Sequence, residues 1–301
     1  MPVICFLPMD PLGVGFALHP DLDYLELARD IIEGPADFFE INPETLWRPQ
    51  QDLLVRNDFY PLFTQIRDHS RKPFVAHGLH FSPGTPLDLD LPRSRAWLDR
   101  LRDDQSEFRF PWISEHLGWQ IADGLQTTLP LPLPPTAEAV GIVAERMRLL
   151  AGVAGRSAFE NSANYVFLGD PAVEPDFLNA ICRAAPCRLL LDLHNVHTQC
   201  LNLGTDPRDY VDRLDLDQVL EIHLSGGSES DPAWLASGRV FRLDSHDGPV
   251  PEDVWKLFEH VLPRCRGLEG VVVERLNGTF KAAEVPALAA EVRRAKDLLR
   301  C

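Results

Sequence analysis

Eight short apolar runs recur along the chain, separated by stretches with helical spacing. They are GVGFAL (13–18), DFFEIN (37–42), KPFVAHG (72–78), PWISEHL (111–117), RSAFEN (156–161), RLLLDLHN (188–195), VLEIHLSGG (219–227) and GVVVER (270–275). Runs this short and apolar suit strands buried on both faces, as in parallel sheets covered by helices. Between them, DLDYLELARDII, TAEAVGIVAERMRLLAG and PEDVWKLFEHVL carry apolar residues at helical period. Asp21 and Thr136 suit helix caps, and Pro251 and Glu252 suit a first helical turn. Strands alternating with helices in this number predict an α/β fold, a single (β/α)8 barrel over residues 1–301. The Pro-rich LPLPLPP (129–135) reads as a loop between the fourth strand and its helix. A doubly wound nucleotide-binding sheet is the weaker alternative, because Gly13 and Gly15 belong to no GxGxxG and no Walker A motif occurs.

Charge and cysteine usage narrow the function. The net charge is −16, whereas a phosphate backbone calls for a basic face, so nucleic acid is not the expected partner. No apolar run is long enough to span a bilayer, and MPVICFLPMD lacks the basic start of a signal peptide. Cys5, Cys182, Cys187, Cys200, Cys265 and Cys301 are scattered singly, with no CxxC pair. That pattern suggests neither a disulfide framework nor a zinc ribbon, and a reducing cytoplasm is the expected setting.

The ends of the runs are rich in one kind of residue. The third ends at His77, with His80 beyond it, and the fourth carries Glu115 and His116. The fifth ends in Glu160 and Asn161, and the sixth in Asp192, His194 and Asn195. The seventh carries Glu221 and His223, with Asp244 and His246 following in RLDSHDGPV. The eighth ends in Glu274 and Arg275. In barrels of this class the chemistry sits at the C-terminal ends of the strands. One histidine at a strand tip is usually a hydrogen-bonded structural residue. Carboxylates and imidazoles from successive tips, converging on one axis, repel one another unless cations compensate. Histidine and carboxylate with one Asn, and no Cys, suit iron, manganese or zinc. The set exceeds what one ion takes.

The motifs FFEINPE, HGLHFSPG, SEHLGW, FENSANY, LLLDLHNV, EIHLSGG, DSHDGPVPEDVW and VVVER, in this order, resemble the multinuclear non-heme iron-dependent oxidases. That family includes the methanobactin oxazolone/thioamide synthase and lies in the xylose-isomerase-like barrel superfamily. The resemblance runs from about residue 12 to about residue 276. It implies two or three irons and O2, acting on a side chain, most often Cys, of a ribosomally made precursor peptide. It also implies a separate leader-binding partner protein. Carried onto this chain, His77, His116 and Glu160 would hold one metal. Glu160, as a bridge, with Asp192, His223 and Glu274 would hold a second, and Asn195, Asp244 and His246 a third. The catalytic set would be Glu160, Asp192 and His223. Apurinic endonucleases of the same superfamily carry His where Asn195 stands.

Departures from the pattern are few. His80 and His194 stand where the family usually has Gly and Asn, and read either as donors around the metals or as exposed loop histidines. Leu276 replaces the family's Asp. Glu40 could contact substrate or support a ligand, while Glu44 reads as a helix-start residue. Asn161 and Asn164 could orient ligands or bind the substrate backbone. Glu115 should face away from its neighbour His116, as a structural ion-pair partner. The SGG at 225–227 suggests close backbone approach, and Trp119 and Trp255 read as packing. Cys200 reads as a loop residue near the site, not a nucleophile. The competing functions are an endonuclease-like metal hydrolase, disfavoured by the charge, and a sugar isomerase, which would want a strand-tip Lys where only Lys281 follows the eighth strand. A non-catalytic scaffold would be expected to have lost ligands.

Overall fold

The computed structural model describes residues 11–300 apart from positions 52, 123 and 124. Cys5, Cys301 and the N-terminal segment 1–10 lie outside the described residues. The eight runs form eight strands: β1 (Gly13–Leu18), β2 (Phe38–Ile41), β3 (Phe74–Gly78), β4 (Ile113–His116), β5 (Ser157–Glu160), β6 (Arg188–Asp192), β7 (Val219–Leu224) and β8 (Gly270–Val273). Each pairs in parallel with its sequence neighbours, and β8 pairs with β1 to close the barrel. Helices wrap the outside, burying a continuous apolar layer between them and the outward faces of the strands. Asp21 and Thr136 accept from the amides of Tyr24 and Ala139, as their cap assignments require. Among the described residues no helix is long and apolar enough to cross a membrane.

The barrel interior is graded along its axis. Its lower part is filled by Ala17, Phe38, Val75, Trp112, Ala158, Leu190, Leu220 and Val272, with Leu12 packed against them. Side chains along a strand alternate between faces, so the next inward position lies two residues further on. Those positions are His19, Glu40, His77, Ser114, Glu160, Asp192 and Glu274. The apolar floor therefore gives way to a polar layer in a single step. Strand β7 breaks the rule: Leu189 pairs with Val219 but Leu190 pairs with Glu221, leaving Leu220 as an extra residue. This bulge keeps Leu220 in the floor and brings Glu221 and His223 inward.

Two stretches differ from the sequence reading. Leu129–Leu131 are not loop but the end of a strand, Leu125–Leu131, paired antiparallel with Trp119–Ala122. Pro130 fits there because a two-stranded ribbon has outer positions that need no N–H donor. The sixth run stops being a strand at Asp192, whose carboxylate caps a helix, Leu193–Leu203, by accepting from the amide of Asn195 at 2.5 Å. His194, Asn195 and Cys200 are thus helical.

The loop after β3 is tied down by Arg146 from the helix Ala137–Ala154. This fully buried guanidinium donates to Thr85 O at 2.8 Å, Phe81 O at 3.2 Å and Asp90 Oδ2 at 3.1 Å.

Candidate metal centre

The polar layer brings together His77, His116, Glu160, Asp192, Asn195, His223, Asp244, His246 and Glu274, whereas Glu115 and His80 lie outside it. His77 Nε2 and His116 Nε2 each lie 3.2 Å from Glu160 Oε2. His223 Nδ1 lies 3.1 Å from Glu274 Oε2, and His246 Nδ1 lies 3.8 Å from the same oxygen. His246 Nε2 lies 2.7 Å from Asp244 Oδ1. Asn195 Nδ2 donates to Glu160 Oε1 at 3.0 Å, placing the amide of the first helical turn against the β5 carboxylate. Among the described residues, three trios of ligand atoms lie close enough together to hold an ion: His77, Glu160 and His223; Asp192, His246 and Glu274; Glu40, Glu221 and His223.

Buried polar atoms are normally hydrogen-bonded, and exceptions call for an explanation. Here Glu160 Oε2, Asp192 Oδ2, Asn195 Oδ1, His223 Nδ1, Asp244 Oδ1, His246 Nε2 and Glu274 Oε2 are buried with no aligned hydrogen bond among the described residues. Of nineteen such atoms among the described residues, these seven belong to the predicted set. Three imidazoles are also held from behind: His77 Nδ1 by Ser114 Oγ at 2.9 Å, His116 Nδ1 by Gly78 O at 2.9 Å, and His223 Nε2 by Glu40 Oε2 at 3.1 Å. One nitrogen anchored and one aimed inward is how metal-binding histidines are oriented. The donor set and its unpartnered atoms fit divalent cations.

Protonation follows from the same crowding. Burial, with the Glu160, Asp244 and Glu274 carboxylates nearby, pushes the Asp192 carboxyl well above its usual range. Burial and Glu40 push Glu221 up to about 8, and its Oε2 accepts from Trp112 Nε1 at 2.8 Å. Burial would also raise Glu274, but His223 and His246 hold it well below the usual carboxylate range. Burial disfavours charge on His223, yet Glu274 and Glu40 outweigh it and raise the imidazole. Without cations, then, the site balances its acids with protons, and ligand groups must shed such protons to bind a metal.

Other expectations resolve individually. Glu40 supports His223 rather than facing the opening. Substituting Glu40→Gln removes the charged acceptor behind His223 and is expected to weaken metal binding by about 10- to 100-fold, read by competition with a chelator of known affinity. Glu44 does not act as a helix-start cap: its Oε1 accepts from the amides of Leu79 and His80 and from Trp97 Nε1. Glu115 does point away from the barrel axis, but it has no ion-pair partner among the described residues. It accepts from Phe81 N, and burial with Glu44 nearby pushes its carboxyl well up. Asn161 clamps the backbone of Asp192 through both its amide atoms, whereas Asn164 turns away to Glu174 and Gln199. His194 is fully buried; His80 is half-buried on the loop after β3. A Cβ on Gly226 or Gly227 would strike the carbonyls of Pro249 or Leu243, so the SGG does serve close approach. Trp255 is buried and Trp119 half-buried in the ribbon, while Cys200 is buried with its thiol pushed up by burial. Sequence reasoning passed over Ser114 and His19, which the two-residue alternation from Trp112 and Ala17 points to. His246 has φ of 49°, a left-handed conformation that costs a non-glycine residue energy and is often found at functional sites.

Solved structures with related chains share this barrel. Endonuclease IV from Thermus thermophilus is 17% identical, with a TM-score of 0.53 over 94% of this chain and 99% of its own. A xylose isomerase-like TIM barrel protein from Mycobacterium smegmatis is 15% identical, with a TM-score of 0.51 over 81% and 80%. At these identities the likeness concerns the fold. In sequence, a UPF0276 protein of Rhizorhabdus wittichii is 32% identical over 277 residues, covering 89% of this chain and 90% of its own. Residues 13–300 match the family described as "RiPP precursor modification enzyme MbnB/TglH/ChrH", where RiPP denotes a ribosomally synthesised and post-translationally modified peptide. The chain belongs to the MbnB/TglH/ChrH family of RiPP precursor modification enzymes.

Proposed function

We propose that the protein is a multinuclear non-heme iron oxidase that uses O2 as electron acceptor to modify a side chain, by preference Cys, of a precursor peptide. The observation that carries this reading is the convergence of seven buried donor atoms without aligned hydrogen bonds at the mouth of the barrel. His77, His116 and Glu160 would hold one ion, Glu160, Asp192, His223 and Glu274 a second, and Asn195, Asp244 and His246 a third. Iron held there would supply the one-electron redox chemistry that O2 needs. The protein's own part is positioning. Ser114, Gly78 O and Glu40 fix three imidazoles, Asn195 holds one oxygen of Glu160 and leaves the other free, and Phe38 and Trp112 exclude water from below. Asp192, with its carboxyl raised, is suited to give up a proton as the site fills.

A peptide substrate suits the face that carries the site. Leu129, Tyr165, Val166, Leu168, Trp234 and Leu235 are all exposed on segments that follow strands β4, β5 and β7. Exposed apolar side chains gathered on one face mark interaction surfaces. A separate leader-binding protein would meet the chain on this same face. Protein expressed with iron and purified without oxygen tests the reading by metal analysis and Mössbauer spectroscopy. Two or three irons per chain with a coupled pair, and O2 uptake only with a Cys-containing candidate precursor, is the expected result. Stoichiometric zinc that iron cannot replace would overturn it in favour of hydrolysis.

A further inference from the structure

We infer that His194 is a positioning residue for Asp244, and that it thereby governs whether the third ion position fills. The inference rests on the proposed ligand set. Asp244 lies on a long segment between β7 and the helix Glu252–Val261 whose regular elements, among the described residues, are one short 3-10 turn and one isolated bridge. Such a segment does not fix a side chain by itself. Its backbone is pinned at Asp244 N, which donates to Tyr165 OH at 2.8 Å, but the carboxylate needs its own support.

His194 supplies it from a rigid element. The residue stands in the first turn of the helix Leu193–Leu203, which Asp192 caps, and its ring is fully buried. Nδ1 lies 3.5 Å from Asp244 Oδ1, and Nε2 lies 3.4 Å from Thr198 Oγ1 one turn along the same helix. The ring is packed so closely against the loop after β7 that a Cβ on Gly227 would stand 3.0 Å from His194 Cε1. Nδ1 has no aligned hydrogen bond among the described residues, and Asp244 Oδ1 is the carboxylate oxygen that stands 3.5 Å from it. In the tautomer with its proton on Nδ1, the ring accepts from the Thr198 hydroxyl at Nε2 and turns its N–H toward Asp244 Oδ1. The carboxylate is then held between His194 and His246, one imidazole on a helix and the other on the loop.

The test loads anaerobic protein with ferrous iron and, separately, cobalt(II), and measures ions per chain and the affinity of the weakest position. His194→Leu is expected to bind one ion fewer, or to bind the last ion about 10- to 100-fold more weakly, with the tighter ions retained. His194→Asn places an amide Nδ2 where Nδ1 stands and is expected to restore loading. Melting of the metal-free variants separates a folding defect from a positioning one. Unchanged loading in His194→Leu, while Asp244→Ala loses an ion, would overturn the inference and leave the ligand set standing. Loading equally poor in His194→Leu and His194→Asn would also overturn it. Wild-type protein that takes up no third ion would overturn the third position itself, and the inference with it.

Discussion

Replacing Glu160 by alanine is expected to abolish activity and to strip more than one ion from the protein. Glu160 Oε2 is the atom on which His77 and His116 converge, and Oε1 is held by Asn195. In the proposed ligand set it is the one residue shared by two ions. Metal-ion catalysis is worth several kcal/mol, so turnover should fall by about a thousandfold or more. Metal content should fall with it, and the metal-free variant should melt below metal-free wild type, because His77, His116 and Asn195 lose the carboxylate they face. Elemental analysis and calorimetry on the same preparation read both effects. A Glu160→Ala protein with full metal content and full turnover would remove the basis of the proposed site.

The largest effect on stability is expected away from the centre, at Arg146→Ala. The guanidinium satisfies three loop carbonyls, of Thr85, Phe81 and Pro86, and pairs with the buried Asp90 carboxylate. Truncation leaves a cavity and reduces Asp90 to its remaining partner, Arg93. Breaking a buried pair by removing one partner costs about 3–5 kcal/mol, or roughly 10 °C in melting temperature for a chain of this size. Urea unfolding should show a lower midpoint with an unchanged slope. A shift below about 1 kcal/mol would mean that Arg93 and water take over the role of Arg146.

The barrel was legible because its strands are buried on both faces and announce themselves as apolar runs. The candidate ligands were legible because polar residues at the ends of such runs are conspicuous. What the runs concealed is phase. Nothing in VLEIHLSGG marks Leu220 as the surplus residue that brings Glu221 and His223 inward. Asp192 is read equally well as the end of a strand or the cap of a helix, and only the amide it accepts from decides. Glu44 reads as a helix-start residue and Glu115 as an ion-pair partner in sequence, yet both accept from backbone amides of the loop after β3, at separations that no local pattern encodes. Ser114 carries no signal of its own and acquires meaning only from His77 on the neighbouring strand.

The apolar floor sets the order of events in time. Among the described residues Phe38, Trp112 and Leu190 stopper the barrel from below, so in the proposed function ions, oxygen and peptide would share the opening above. For a protein of the proposed function, a docked peptide is also a lid. Ions have to arrive before it, spent product has to leave before the next peptide enters, and a saturating peptide should slow the escape of metal to a chelator. Traffic through one opening then gives the reaction a compulsory sequence without any moving part.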